Sequence, residues 1–503
     1  MSDTCHEPLT DTRVLAHRGG MSAAKSSTRR QFDPRLVQGP IVPSLILLAL
    51  PIMAANILQV AYQLVDAFWV GRLGAAAVAA VSLTLPIMFL LIAAGMGFAI
   101  AGTTLIAQYA GAGDHAMVDH VAAQTLLTIV LVSIVLAALG FAITPWLLHL
   151  MNLAPDVYRN ALGFMRVVFA SLPLMFVYAM VQALMRGVGE VKVPLYIVAA
   201  TVVINFCLDP VLIFGMYGAP AWGVVGAATA TVISQAVAAA ISLRLLFGGR
   251  YGIHVHWKDF QPDLVFVKRA FLLGYPASIE QSMRGLGMTV MTFLITSFGT
   301  IVTASFGVGT NVVNVVVIPA MGFSLATSTL VGQNIGAGNI ARAERVARLS
   351  ALITFASLSA IGALAFIFAP HIVSFFVPQS QEVIAEGGRL IRIMAWSFGF
   401  IGLQFALLGV LRAAGEMIQA MATSLVSQWV LQLPLAYFLS KHTAMAADGL
   451  WWALPVSNVA TSIIAGVLFL RGGWKTKRLV HRPTLVESQQ EAVEEAAQME
   501  GVP

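Results

Sequence analysis

Apolar residues run through this chain of 503 residues in twelve long stretches, at 42–66, 77–106, 118–145, 160–185, 193–215, 223–247, 267–297, 303–331, 346–369, 386–411, 418–440 and 449–470. A helix needs about 20 apolar residues to cross the roughly 30 Å hydrocarbon core of a bilayer. The pattern therefore predicts an all-α polytopic membrane protein with 12 transmembrane helices. Composition agrees: 58% of residues are hydrophobic and only 10% are charged, with a mean hydropathy of +0.84, against about 25% charged in soluble domains.

The two halves of the pattern repeat each other. Thr104 to Asp114, with Gln108, Gly111 and Gly113, returns as Thr329 to Asn339, with Gln333, Gly336 and Gly338. The same shift of 225 maps Pro51 onto Pro276 and Met96-Gly97-Phe98 onto Met321-Gly322-Phe323. A shift of 226 maps Arg166 onto Arg392, Arg186 onto Arg412 and Gly189-Glu190 onto Gly415-Glu416. Six spans fall in each copy, and six is even, so both copies enter from the same side. This predicts two pseudo-symmetric six-helix lobes in a parallel repeat, an arrangement typical of transporters with sites near mid-membrane.

The expected organisation is an N-terminal tail at 1–40, an N-lobe at 41–247, a linker at 248–266, a C-lobe at 267–471 and a C-terminal tail at 472–503. The polar N-terminal tail has no apolar core before a cleavage site, so it reads as a mostly disordered segment and not as a signal peptide. The last 20 or so residues, rich in Glu and Gln, read as a soluble tail able to form a short helix. Of the 29 Lys and Arg residues, 22 fall on the side of the termini, 6 on the other side, and Arg284 lies within a span. The excess of positive charge on cytoplasmic loops puts both termini in the cytoplasm, with the chain multi-pass in a bacterial inner membrane. Because the net charge of +6 follows these loops, nucleic acid is not expected as a partner. Cys5 and Cys207 give no disulfide framework. In the linker, His254, His256, Trp257 and Lys258 read as an interfacial segment and not as a metal site.

Few charges lie inside the spans. A carboxylate there costs about 2.5–3.5 kcal/mol on insertion scales, so a retained one marks function. Asn56, Gln59, Gln63 and Asp66 are spaced 3, 4 and 3 along the first span and share one face, a polar cleft face, fifteen residues beyond the helix-bending Pro51 at its far end. Thr201, Asn205 and Asp209 share a face of the fifth span, and Pro210 strips the carbonyl of Phe206 of its donor. Carboxylate, amide oxygen, hydroxyl and freed carbonyl suit Na+, and the same carboxylate, desolvated, suits a proton. Thr229 or Thr231 of the sixth span adds a hydroxyl. Under the repeat shifts Asp66, Asn205 and Asp209 fall on Met291, Leu431 and Leu435, so the duplicated scaffold does not itself require the acids.

Glu280 and Arg284 lie four apart on the seventh span, in the order that favours an ion pair. They read equally as a structural pair or as a secondary site of the C-lobe. The two Gln-x-x-Gly-Ala-Gly turns lack the Lys-Ser/Thr of a phosphate loop and read as helix-ending glycines. Arg186 and Arg412, with their Gly-Glu pairs, read as topological anchors. No nucleophile set, metal cluster or cofactor motif is present, so neither an enzyme nor a cofactor is expected.

These residues resemble the multidrug and toxic compound extrusion (MATE) family, most nearly its prokaryotic DNA-damage-inducible F (DinF-like) branch, within the MOP flippase superfamily. The likeness rests on Val65 to Gly74, Gln108 to Gly113, Arg186 to Glu190, Asn205 to Pro210, Gly226 to Thr231 and Gln333 to Gly338, over roughly 40–470. The resemblance implies two lobes around a V-shaped cleft and export of organic cations and amphiphilic compounds against Na+ or H+. It places the cation site on Asp66, Asn205, Asp209 and Thr231, and the bending proline on Pro51. Basic Arg284 stands near where other branches carry an acid, which weakens the analogy for a C-lobe cation site. The expected mechanism is alternating access by a monomer, with cation or proton uptake reshaping the first helix about Pro51. The alternatives are a lipid or lipid-linked-sugar flippase and a narrow-substrate metabolite exporter of the same superfamily.

Overall fold

A computed structural model describes residues 32–480 apart from 219, 478 and the side chains of 85 and 86. The expectations for 1–31, including Cys5, and for the tail beyond 480 lie outside the described residues. Every element is helical: a short α1 (Arg35–Gln38), then α2 (Ile41–Gly71), α3 (Ala75–Ala112), α4 (His115–Leu150), α5 (Pro155–Gly187), α6 (Lys192–Phe214) and α7 (Val224–Phe247) in the first half. The second half holds α8 (Leu264–Thr296), α9 (Thr300–Gly336), α10 (Ile340–Phe376), α11 (Gln381–Ala395), α12 (Phe398–Ala413), α13 (Met417–Leu425), α14 (Leu433–Lys441) and α15 (Ala447–Arg471).

Nine of the described helices are long and apolar enough to cross a membrane by themselves. The other three spans are either broken or less apolar. The tenth run, expected as one helix over 386–411, is α11 and α12 bent by 47°. At the break the Ser397 hydroxyl donates to the Met394 carbonyl at 2.8 Å, a side chain competing with the helix ladder. The eleventh run is α13 and α14 joined by a π-helical stretch, Val426–Gln432. The seventh, α8, carries Lys268, Arg269, Glu280 and Arg284 along its length. Both α2 and α6 run unbroken through Pro51 and Pro210.

The first helix of each half lies against the opposite half. On α8, Phe271 packs on Phe98 of α3, with centroids 5.7 Å apart. Ser278 donates to the Ala94 carbonyl at 2.7 Å. The repeat-related α2 packs against α9, where Met53 fills the space beside Gly322.

At one end the halves are latched, and the latch is itself duplicated. Thr104 Oγ1 and Gln108 Nε2 of α3 donate to the carbonyls of Arg412 and Ala413, at 3.1 and 2.8 Å. Thr329 Oγ1 and Gln333 Nε2 of α9 donate to those of Arg186 and Gly187, at 3.2 and 2.9 Å. Where α3 meets α9, a Cβ on Gly111 would lie 1.9 Å from the Gln333 carbonyl oxygen, and one on Gly336 1.8 Å from that of Gln108. Past the level of Ala94 and Ser278, no side-chain hydrogen bond crosses between the halves toward the far end among the described residues. Consistent with an opening there, the buried residues of α2 lie on one face between Ser44 and Ile52, and the next is Val70.

The chain ends seal the latched end. Leu36 of α1, 1% exposed, seats on the Gly189 turn, and the Leu36 carbonyl accepts from Asn334 at 3.2 Å. Leu479 seats on the equivalent Gly415 turn, and its N–H donates to Gln108 Oε1 at 2.9 Å. Of the tail at 1–40, read as mostly disordered, the described part from Phe32 on is ordered by a leucine with a Gly-floored seat. The linker is also fastened. Asp119 of α4 accepts from the His254 N–H at 2.7 Å, and Gln124 Nε2 donates to the carbonyls of Asp259 and Gln261, both at 2.7 Å.

Candidate functional site

The acids of the first half converge between α2, α6 and α7. Asn205 and Asp209 share a face of α6 and are both 0% exposed. Asn205 Nδ2 donates to Asp209 Oδ1 at 3.1 Å. Asp66 of α2 lies near enough for its charge to act on Asp209. The Tyr62 hydroxyl, one turn before Asp66, stands beside Thr231 of α7 and near both acids.

Thr229 spends its hydroxyl on the Val225 carbonyl of its own helix at 2.8 Å, whereas Thr231 faces the cluster. Thr201 likewise bonds back to Val198 at 2.7 Å and stands beside Tyr178 of α5. Of the polar face of α2, Asn56 and Asp66 are half-buried and Gln59 and Gln63 are exposed.

Four buried oxygens here have no hydrogen-bond partner: the Tyr62 hydroxyl, Asp66 Oδ1, Asn205 Oδ1 and Asp209 Oδ2. Buried polar atoms are almost always paired, so orphans need an explanation. All four can accept, and two belong to carboxylates. Two carboxylates in a dry, apolar setting repel each other and are each costly to bury unpaired. A cation or a proton relieves both costs, and an oxygen-only set is what a hard cation takes.

The second half holds a site of opposite sign. Glu280 of α8 is 1% exposed, and its Oε1 accepts from Arg284 Nη2 at 3.3 Å, from Ser424 Oγ of α13 at 2.8 Å and from Arg412 of α12. The Arg284 guanidinium also lies over the Phe405 ring, 5.4 Å from its centroid. The π-helical stretch holds the α8 backbone beside it: Gln428 Nε2 donates to the Arg284 carbonyl at 3.1 Å and Trp429 Nε1 to that of Met283 at 3.2 Å. The structure thus keeps Glu280 and Arg284 paired and adds Arg412, which the sequence reading had treated only as an anchor.

Sequence reasoning also missed Tyr62 and the latch residues Thr104, Gln108, Thr329 and Gln333. The signal for Tyr62 was its place four residues before Asp66 on a shared face. For the latch it was the recurrence of an uncharged polar pair, Thr and Gln four apart, in both copies of an apolar run.

Comparison with known proteins follows the same lines. The sequence profile of the MatE family matches twice, at residues 51–211 and 276–438, and its two matches begin at the repeat-related prolines. A protein of Bacillus subtilis described as a probable multidrug resistance protein, YoeA, is 31% identical over 87% of this chain and 95% of its own length. A Thermotoga maritima protein described as probable multidrug resistance protein NorM is 27% identical over 91% of this chain and 98% of its own. A solved structure described as the outward-facing conformation of a multidrug resistance MATE family transporter superposes with a TM-score of 0.81 at 22% identity, covering 88% of this chain and 98% of that one. With twelve spans in two duplicated halves and family matches in both, this chain belongs to the MatE family of multi-pass membrane transporters.

Proposed function

We propose that the protein is a secondary active multidrug efflux antiporter of the bacterial inner membrane. In this reading it exports organic cations and amphiphilic compounds in exchange for Na+ or H+ by alternating access. The observation that carries the coupling is the trio of orphaned buried oxygens on Asp66, Asn205 and Asp209, confined to one copy of a duplicated scaffold. An ion or proton bound there draws α2 and α6 together. Thr231 adds a hydroxyl from α7, and Pro51 and Pro210 lower the cost of bending each helix by removing one ladder bond. The printed descriptions of the bacterial relatives support drug export.

The latch supplies the second state that alternating access needs. Its four side-chain donors and paired glycines close one end, the end that the Lys and Arg distribution makes cytoplasmic, and their release would open it. Reconstitution in liposomes tests the reading. Efflux of a fluorescent organic cation is followed under a Na+ gradient and a pH gradient imposed separately, with Asp66→Asn and Asp209→Asn in parallel. Gradient-driven efflux that both variants lose is the expected result, and the effective gradient names the coupling ion. Full activity in both variants would sink it.

A further inference from the structure

The acid-bearing polar line of α2 has a basic counterpart on α8. Along α2 the polar line reads Asn56, Gln59, Gln63 and Asp66; a shift of 225 places Gln281, Arg284, Met288 and Met291 on the same line of α8. Arg284 therefore takes the position of Gln59, and the acid at the end of the line is gone. Around it lie two guanidinium groups, Arg284 and Arg412, and one carboxylate, Glu280. One positive charge is left uncompensated in this cluster. The Arg412 side chain is 10% exposed and that of Glu280 0%, but the Arg284 side chain is 39% exposed. A guanidinium within a spanning helix faces the bundle interior or a water-filled cavity, not lipid. The exposed free donors of the cluster are thus on Arg284, with the flat face of Phe405 beneath it and Arg412–Glu280 behind it. Glu280 Oε2 and Arg412 Nε, both buried, have no partner, so the pair behind Arg284 is itself unsaturated.

We propose that Arg284, backed by Glu280 and Arg412, is the subsite that holds the carboxylate of a zwitterionic amphiphilic substrate. A planar guanidinium offers a carboxylate two parallel N–H donors. The Phe405 ring gives an apolar surface for the body of the same molecule. This rests on the reading of the cleft as a drug path, but not on the coupling ion.

A matched pair of dyes tests it: a rhodamine with a free carboxylate and its methyl ester, which share one xanthylium cation. Equilibrium binding by fluorescence anisotropy is measured on the full chain in nanodiscs, at one pH and with no gradient. Arg284→Gln should weaken the free acid at least tenfold and leave the ester within about twofold, and Arg284→Lys should restore part of the loss. Equal binding of the acid by wild type and Arg284→Gln overturns the proposal. So does a parallel loss of both dyes, which would make Arg284 a packing residue. Nanodiscs of phosphatidylcholine and of phosphatidylglycerol separate the remaining source of anions: acid binding abolished in the anionic lipid alone would assign the subsite to a lipid headgroup and overturn it. Selective acid binding without gradient-driven efflux would instead defeat the antiporter reading and leave the subsite standing.

Discussion

Gly111 of α3 lies so close to Gln333 of α9 that a Cβ would come within 1.9 Å of its carbonyl oxygen. Gly336 repeats the approach to Gln108 at 1.8 Å. The obstacle is backbone in both cases, so no side chain can step aside. Gly111→Ala should therefore hold the latched end apart. Spin labels at Ala116 and Ala341, both exposed and repeat-related, should report a longer distance by pulsed electron resonance, with transport lost in a folded protein. An unchanged distance would contradict the latch.

The amide donors are a gentler probe of the same contact. Gln108→Leu leaves the Ala413 carbonyl and the Leu479 N–H without their partner. An orphaned buried polar group costs about 1–3 kcal/mol. The closed population should fall by roughly tenfold or more, since 1.4 kcal/mol is a factor of ten. Gln333→Leu should do the same through Gly187, and the double variant should show the two losses adding or exceeding the sum. The same label pair measures this.

Ion binding at the acid cluster should be visible without transport. A ligand that binds only the folded state stabilises it by about 2.7 kcal/mol at a hundred times its Kd. If Na+ is the coupling ion, replacing choline by Na+ at fixed ionic strength should raise Tm in wild type but not in Asp209→Asn. Asn205→Leu, which removes both an orphaned oxygen and the donor to Asp209, should weaken the response. A rise of equal size in all three proteins would rule out this site for Na+.

The junction between the halves should respond to acid. Asp263 caps α8, accepting from the N–H groups of Val265 and Phe266, and faces His120 of α4 at 3.3 Å. The Phe266 N–H, with the smaller effects of His120 and Val265, holds its carboxyl below the usual value of about 3.9. A lowered value means that the contribution is fully present above about pH 4 and is lost as pH falls through the folded-state value. Asp263→Ala should lower Tm at neutral pH and remove that part of the acid sensitivity. Thermal unfolding between neutral and strongly acid pH, compared between the two proteins, is the check.

Leu36 offers a test of the ordered N-terminal segment. It is 1% exposed and seats on Gly189. Truncating a buried Leu to Ala costs about 2–5 kcal/mol, and here the loss falls on one local seat. Leu36→Ala should speed protease cleavage before α2 with little change in the global Tm.

Twelve spans, a duplication and a pair of acids in one copy were all readable without coordinates. Hydropathy acts residue by residue along the chain, and the repeat can be read by aligning the sequence with itself. Asn205 and Asp209 could be paired because four residues in a helix return a side chain to the same face. The bend at Ser397 and the π-helical stretch at Val426–Gln432 were not readable. At the bend a hydroxyl competes with the local ladder, and apolarity is blind to that.

What this chain determined by itself was its solvent, its helices and the asymmetry of its charges, since each depends on local composition and on a single turn of helix. Tertiary structure decided which groups meet. It gave Glu280 a second arginine from α12, more than a hundred residues away. It set Thr231 beside Tyr62 of α2, and it turned two glutamines of the repeat into donors that bind the opposite half. Those outcomes depend on distances between helices remote in sequence, which only the packing of the two halves sets.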